Sequence, residues 1–168
     1  MRKTMFIGML TGVLLLGRGP QLPEPNTGLP GMVLEVACDS LQDVAVAVYS
    51  PWRGIIYYNP ALQRRLGPDL TAFFRAHEFG HLYFHHTRAN AMAGTGASSA
   101  DRLLQGRELE ADCYATRRLA ASHRAAVDAA LRFFSRMGGF RFDTQHPTGA
   151  ERAVRILACL PTPASGGR

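Results

Sequence analysis

Lysine is almost absent from this 168-residue sequence, in which Lys3 is the only one, and no internal repeat is visible. Arginine therefore carries nearly all of the positive charge, and the net charge is +6. The arginines are scattered over several segments and do not alternate with aromatic residues. Surfaces that bind nucleic acid combine clustered basic groups with rings on which bases stack. We therefore expect no nucleic acid among the partners of this protein.

Cysteine is also scarce, and the sequence contains only Cys38, Cys113 and Cys159. Their spacings match no zinc–thiolate pattern, so we expect buried thiols. Three cysteines cannot all pair within one chain. In an oxidising compartment one disulfide and one free thiol are allowed, and the sequence leaves the pairing open.

No apolar run in the sequence is long enough to cross a bilayer comfortably. The most informative one covers residues 5–16, directly after Arg2 and Lys3. A basic start before a short apolar run is typical of a secretory signal peptide, although no small-x-small cleavage site follows. We therefore expect an exported protein, periplasmic or membrane-associated. An uncleaved anchor, a mispredicted start and a buried core segment remain alternatives, as does peripheral membrane association.

The length predicts one domain, because a chain of this size can bury well over half of its unfolded surface. We predict a signal peptide or N-terminal anchor over residues 1–19 and a linker rich in Pro and Gly over residues 20–31. The domain covers residues 32–160, and residues 161–168 form a frayed tail. The oligomeric state is left open.

Hydrophobic patterning predicts an α+β fold that is mostly helical, with a small N-terminal hairpin or sheet packed on the main helix. Strands are expected over residues 32–37, 44–49 and 55–58, the last two forming a hairpin. The expected helices run from Pro60 to Leu66, from Pro68 to about His86, from a cap at Asp101, from Ser122 to before Gly138, and from about Thr148 to Cys159, with a loop over residues 89–100.

The main predicted helix carries the pattern His77-Glu78-Phe79-Gly80-His81. On a helix the two histidines lie about 40° apart around the axis and roughly one turn apart along it, so both imidazoles can bind one ion. Glu78 is then placed to take a proton from a water molecule that zinc has made acidic. Apolar neighbours predict a buried helix, in which unpaired histidines would be unfavourable. The pattern predicts a catalytic zinc site.

A catalytic zinc site of this type needs a third protein ligand and an open position. A third histidine six residues after His81 would stand at position 87, which is Thr87. His85 and His86 are nearer than that, and on a continuing helix they would point along it rather than at the ion. A ligand that is not histidine is therefore expected.

A carboxylate ligand is available in the segment Arg107-Glu108-Leu109-Glu110-Ala111-Asp112. Glu108 and Asp112 are one helical turn apart on the same face, whereas Glu110 lies about 200° away from Glu108. One face can thus present Glu108 as a ligand and Asp112 as a carboxylate that orients a zinc-binding histidine through its ring N–H.

These motifs together resemble the gluzincin peptidases of the HtpX, Oma-type and CAAX-prenyl endopeptidase group, peptidase family 48 of the M clan. The resemblance covers roughly residues 55–157 and includes His86 and the segment Gln145-His146-Pro147 with Arg152. It implies a zincin-like domain with one Zn²⁺ per chain, bound by His77, His81 and Glu108. It also implies that Glu78 is the general base and that Asp112 supports a zinc ligand. The compact chain and the lack of several membrane spans depart from the HtpX-type enzymes.

His146 is a further candidate for the catalytic machinery. It could reach the open position of the metal, as a fourth ligand or as a transition-state donor, and the loop around it could gate the site. Alternatively, it is a helix-start histidine held by Pro147. Both interpretations stay open.

The sequence therefore predicts a zinc metalloendopeptidase that acts on misfolded or unassembled envelope polypeptides. An extended substrate would pair with an edge strand, either residues 44–49 or residues 55–58. The alternative is a non-catalytic zinc-binding module that is chaperone-like or mediates interactions. Glu78 favours the enzyme, because a structural zinc site needs no glutamate between its ligands.

Overall fold

The computed structural model describes residues 33–49, 53–86 and 97–161. The predicted signal peptide, the predicted linker, most of the predicted loop and nearly all of the predicted tail lie outside these residues. The fold is α+β and mostly helical, as predicted. Its elements are β1 (Leu34–Ala37), β2 (Ala45–Tyr49), β3 (Gly54–Tyr58), α1 (Pro60–Leu66), α2 (Pro68–Tyr83), α3 (Ala97–Leu119), α4 (Arg124–Met137) and α5 (Gly149–Ala158).

The three strands form one mixed sheet in the order β1-β3-β2. β2 and β3 are the predicted antiparallel hairpin, with Val48 opposite Ile55, and β1 runs parallel to β3. β3 is therefore the central strand, so residues 55–58 cannot serve as an edge for a substrate. The outer edge of β2 pairs with no other strand in the part of the chain that the structure describes. The small β2 side chains Ala45 and Ala47 pack with Leu82 of α2, and this contact holds β2 against the main helix.

The helical core forms around α2. Phe73 and Phe74 are almost fully buried and make edge-to-face contacts with Phe134 of α4. Such aromatic pairs add to the free energy gained from burying apolar surface, so α2 is the central helix of the packing. α5 packs against α4 and α3 and carries its own cap, in which Thr148 and Glu151 bond reciprocally to each other's backbone N–H groups.

Two helix boundaries differ from the prediction. α2 ends at Tyr83 rather than at His86, because the chain turns at His85, whose φ of 57° is left-handed. α3 begins at Ala97, so Asp101 lies inside the helix and is not its cap. Residues 97–100 are Ala-Ser-Ser-Ala, and alanine is the strongest helix former. The helix therefore starts before Asp101.

A disulfide joins Cys113 of α3 to Cys159 at the C-terminal end of α5, with the two Cα atoms 5.3 Å apart. The prediction of buried thiols is therefore wrong for these two residues, and Cys38 is the free cysteine. No helix among residues 33–49, 53–86 and 97–161 is long and apolar enough to cross a membrane.

Candidate metal centre

The metal centre lies where α2 meets α3, and Gly80 allows the two helices to approach closely. A Cβ atom at Gly80 would lie 3.0 Å from the Cα atom of Ala111 and 3.2 Å from the Cβ atom of Tyr114. These distances are shorter than ordinary van der Waals contact. The glycine within the histidine motif therefore brings the histidine-bearing face of α2 against the carboxylate-bearing face of α3.

His77, His81 and Glu108 form a buried group that could bind a metal ion. The two histidine Nε2 atoms are 2.9 Å apart, and each lies 3.2 Å from a different oxygen of Glu108. Nitrogen and oxygen ligands at about 2.0–2.1 Å from a tetrahedral zinc ion lie roughly 3.3 Å from one another. The three groups therefore already stand close to the spacing of zinc ligands, and they occupy three positions of the four.

The contacts of His77 favour a positive charge in this group. Its Nδ1 atom lies 2.9 Å from Asp112, whose carboxylate only accepts, so Nδ1 carries the proton. The Nε2 atom then faces the carboxylate of Glu108 with a lone pair, unless a proton or a metal ion lies between them. Burial lowers the pKa of His77, but bonds to Asp112 and Glu108 outweigh it and raise this pKa to about 10. The group could therefore hold a cation between His77 and Glu108.

Glu108 is suited to bind such a cation. Burial opposes its ionisation, but the neighbouring His81 and His77 hold the pKa of its carboxyl well below the ordinary value. Glu108 is therefore a carboxylate at neutral pH, and both of its oxygens face imidazole nitrogens.

Asp112 is held in place by Arg152, an arginine of α5 that lies over the ring of Phe134. The guanidinium donates from Nε and Nη2 to the two oxygens of Asp112, at 2.7 and 2.6 Å. Burial opposes the ionisation of Asp112, but Arg152 and His77 lower its pKa. The chain Arg152–Asp112–His77 therefore fixes the ring of one metal ligand, as described for carboxylate–histidine–metal sites.

Arg152 has no predicted role of its own, although the sequence carries a signal for one. Arg152, Ala153 and Ile156 share the buried face of α5, and an arginine on an apolar helix face needs a buried partner. Only the packing of α5 on α3 identifies that partner as Asp112.

Glu78 is buried on α2 and accepts a hydrogen bond from the backbone N–H of Ala47, at 2.7 Å from Oε2. Burial raises the pKa of Glu78, and the charges of His81 and His77 partly oppose that rise. Asp43, just before β2, is also buried. Burial and the nearby Glu78 raise the pKa of Asp43 well above its ordinary value. Neither Ala47 nor Asp43 carries any sequence signal, because the hairpin alone brings them to α2.

The sequence predicted that His86 would point along a continuing helix. This prediction is wrong, because α2 has already ended at Tyr83. His86 is buried, with Nδ1 3.2 Å from Nδ1 of His81 and Nε2 3.0 Å from an oxygen of Glu110. Burial, together with the charges of His81 and Arg107, lowers the pKa of His86 to about 3. His86 is therefore a neutral hydrogen-bonding group beside a metal ligand.

His146 is buried just before α5, and its ring and backbone both bond to Asp143, at 2.8 and 3.0 Å. The buried metal-binding group formed by His77, His81 and Glu108 does not include it. Its role as a gate or transition-state donor therefore stays a prediction.

Comparison with protein-family models, curated proteins and solved structures found no match for this chain. The resemblance to the gluzincin peptidases thus rests on the motifs of this sequence, and the family assignment stays a prediction.

Proposed function

We propose that the protein is a zinc-dependent metalloendopeptidase with one Zn²⁺ per chain. The observation that carries this proposal is the pairing of a buried three-ligand group with a buried glutamate on the same helix. Catalytic zinc sites use three protein ligands, such as two imidazole nitrogens and one carboxylate oxygen, and keep a fourth position open. Structural zinc sites are closed by four protein ligands.

Zinc is the ion that suits the site best. Imidazole and carboxylate donors bind several first-row metals, but the compact group of three at near-tetrahedral spacing fits zinc. A bound zinc ion supplies Lewis acidity, which polarises a peptide carbonyl and makes water more acidic.

Glu78 is the general base of the proposed reaction. The N–H of Ala47 occupies its Oε2 atom, and no hydrogen bond to Oε1 is present among residues 33–49, 53–86 and 97–161. The raised pKa of Glu78 makes it a stronger base than an exposed carboxylate. Glu78 takes a proton from water as the water oxygen forms a bond to the peptide carbonyl carbon. It then delivers that proton to the amide nitrogen as the C–N bond breaks, which leaves a carboxylic acid and an amine.

The substrate binds as an extended strand along β2. This strand lies at the edge of the sheet and contacts α2 through Ala45 and Ala47, so a peptide along it lies beside Glu78. Because the N–H of Ala47 already donates to Glu78, the peptide pairs with the backbone groups on either side of Ala47. Backbone pairing is largely independent of side chains, which suits unfolded polypeptides. The Cys113–Cys159 disulfide and the apolar N-terminal run support an exported protein, and hence misfolded or unassembled envelope proteins as substrates.

The proposal is tested by measuring zinc content and casein cleavage for the wild type and Glu78→Gln. Glutamine can still accept the hydrogen bond from Ala47, so the fold and the ligands are retained. We expect one zinc per chain in both proteins and a loss of cleavage of about 10²- to 10⁴-fold in the variant. Glu35→Gln is the matched control, because Glu35 of β1 pairs with the exposed Arg75 of α2 and takes no part in the site.

Three outcomes separate the hypotheses. Cleavage that survives Glu78→Gln would show that Glu78 is not the base. A wild type that retains zinc but cleaves nothing would favour the non-catalytic zinc-binding module. A wild type that remains metal-free in the presence of one equivalent of zinc would overturn both the metalloendopeptidase and the zinc-binding module.

A further inference from the structure

The end of α2 turns back on itself and returns His86 to the metal centre. On a continuing helix His86 would stand about 140° around the axis from His81 and could not contact its ring. The helix ends at Tyr83, and the left-handed backbone of His85 takes the chain off the helical path. Histidine is among the residues that adopt this conformation more readily than most. His86 is left only 5% exposed.

His86 contacts His81 on the side that faces away from the metal-binding group. The Nε2 atom of His81 faces Glu108 and His77, whereas its Nδ1 atom lies 3.2 Å from Nδ1 of His86. The two nitrogens of one ring lie on opposite edges, so His86 cannot share an ion bound to Nε2 of His81. His86 is therefore a neighbour of a ligand and not a ligand itself.

Glu110 determines which nitrogen of His86 carries the proton. Its carboxylate oxygen lies 3.0 Å from Nε2 of His86 and accepts, so Nε2 donates and Nδ1 keeps a lone pair. That lone pair accepts from Nδ1–H of His81, which leaves the lone pair of His81 on Nε2, the atom that faces Glu108. The ring of Phe84 stacks on His86, with centroids 5.4 Å apart and planes 21° apart.

We infer that His86 and Glu110 are positioning residues that hold His81 in the tautomer and orientation needed to bind the metal. This inference rests on the proposed function. Each histidine ligand then has its own support: Asp112 and Arg152 for His77, and His86 and Glu110 for His81. The two supports differ in exposure. Glu110 is 54% exposed along its side chain, so water can replace it, whereas His86 is enclosed.

The test compares zinc affinity, measured by competition with a chelator, in the wild type and three variants. His86→Phe keeps a ring against Phe84 but removes both hydrogen bonds, and we expect affinity to fall by about 10- to 100-fold. His86→Asn places a carbonyl oxygen near the position of Nδ1, and we expect it to recover most of that loss. Glu110→Ala should weaken binding less than His86→Phe, because water can accept the bond from His86.

His123→Asn is the matched control, since His123 pairs with Asp69 at the surface and lies outside the metal-binding group. We expect its zinc affinity to equal that of the wild type. The free energy of unfolding of each metal-free variant shows whether a change in affinity reflects a general loss of folding. A fall in affinity that the His86→Asn variant reverses supports positioning.

Ring-nitrogen NMR of the zinc-loaded wild type supplies the second readout. We expect His81 with its proton on Nδ1 and His86 with its proton on Nε2. A His86 ring protonated on Nδ1, or equal zinc affinity in the wild type and His86→Phe, would overturn the positioning role and leave the proposed function standing. A wild type that binds no zinc would overturn both.

Discussion

The buried ion pair between Arg152 and Asp112 offers the sharpest test of how the site is held. Arg152→Met removes the guanidinium but keeps an apolar stem on α5. Asp112 is fully buried and loses two charge-assisted hydrogen bonds, of 2.7 and 2.6 Å, so a carboxylate is left with His77 as its remaining side-chain partner. Removing one partner of a buried pair lowers the free energy of unfolding by about 3–5 kcal/mol. For a domain of this size that corresponds to a fall in Tm of roughly 6–20 °C.

The assay is urea unfolding of the metal-free protein, in chelator, so that loss of metal does not contribute to the result. Asp112→Asn and the double variant complete a double-mutant cycle. We expect the double variant to be less destabilised than the sum of the two singles, because no uncompensated charge then remains. Arg132→Met, on the exposed surface of α4, is the control and should change stability by no more than about 0.5 kcal/mol.

The difference in unfolding free energy between wild type and Arg152→Met should depend on pH with a definite sign. Burial opposes the ionisation of Asp112, but Arg152 holds its pKa below the ordinary value of 3.8. The stabilisation from the pair is therefore complete above that value and is lost as the pH falls through the lower folded pKa. Without Arg152, burial raises the pKa of Asp112 in the variant. Wild type and Arg152→Met should therefore converge in acid, where Asp112 is protonated in both, and differ most once the pH exceeds the raised pKa of the variant. A difference below about 1 kcal/mol at pH 7, or strict additivity in the cycle, would refute the reasoning.

Two further predictions concern how α3 is held. Replacing both Cys113 and Cys159 by serine opens a loop with a sequence separation of 46 residues, and chain entropy predicts a loss of about 4 kcal/mol of unfolding free energy relative to the oxidised wild type, measured by urea titration. Reduced wild type should match the variant, and a variant as stable as the oxidised wild type would contradict the prediction. Gly80→Ala places a methyl group 3.0 Å from the backbone of Ala111, so we expect the free energy of unfolding to fall by about 1–3 kcal/mol and zinc binding to weaken. Gly106→Ala is the control, because a Cβ atom there meets nothing within 4 Å.

The fold class was predictable because it depends on local patterns. Short runs of β-branched and aromatic residues on either side of a turn located the hairpin, and Asn59 and Thr148 marked the starts of α1 and α5. Boundaries were less predictable. The end of α2 depends on a left-handed residue, His85, and nothing in its neighbours requires that conformation.

The candidate ligands were also predictable, because helical spacing places His77 and His81 on one face and Glu108 and Asp112 on another. The structure brings His77, His81 and Glu108 together. That they bind zinc, and that Glu78 acts as a base, stay predictions.

The sequence by itself determined which side chains could meet, because the 3.6-residue period of a helix is a property of the chain alone. Tertiary structure decided what surrounds them. Arg152 reaches Asp112 only because α5 packs on α3, and Ala47 reaches Glu78 only because the hairpin packs on α2. These contacts join residues 31 and 40 positions apart, and no local spacing encodes them. They depend on which apolar faces bury one another, and that is settled only when the whole core packs.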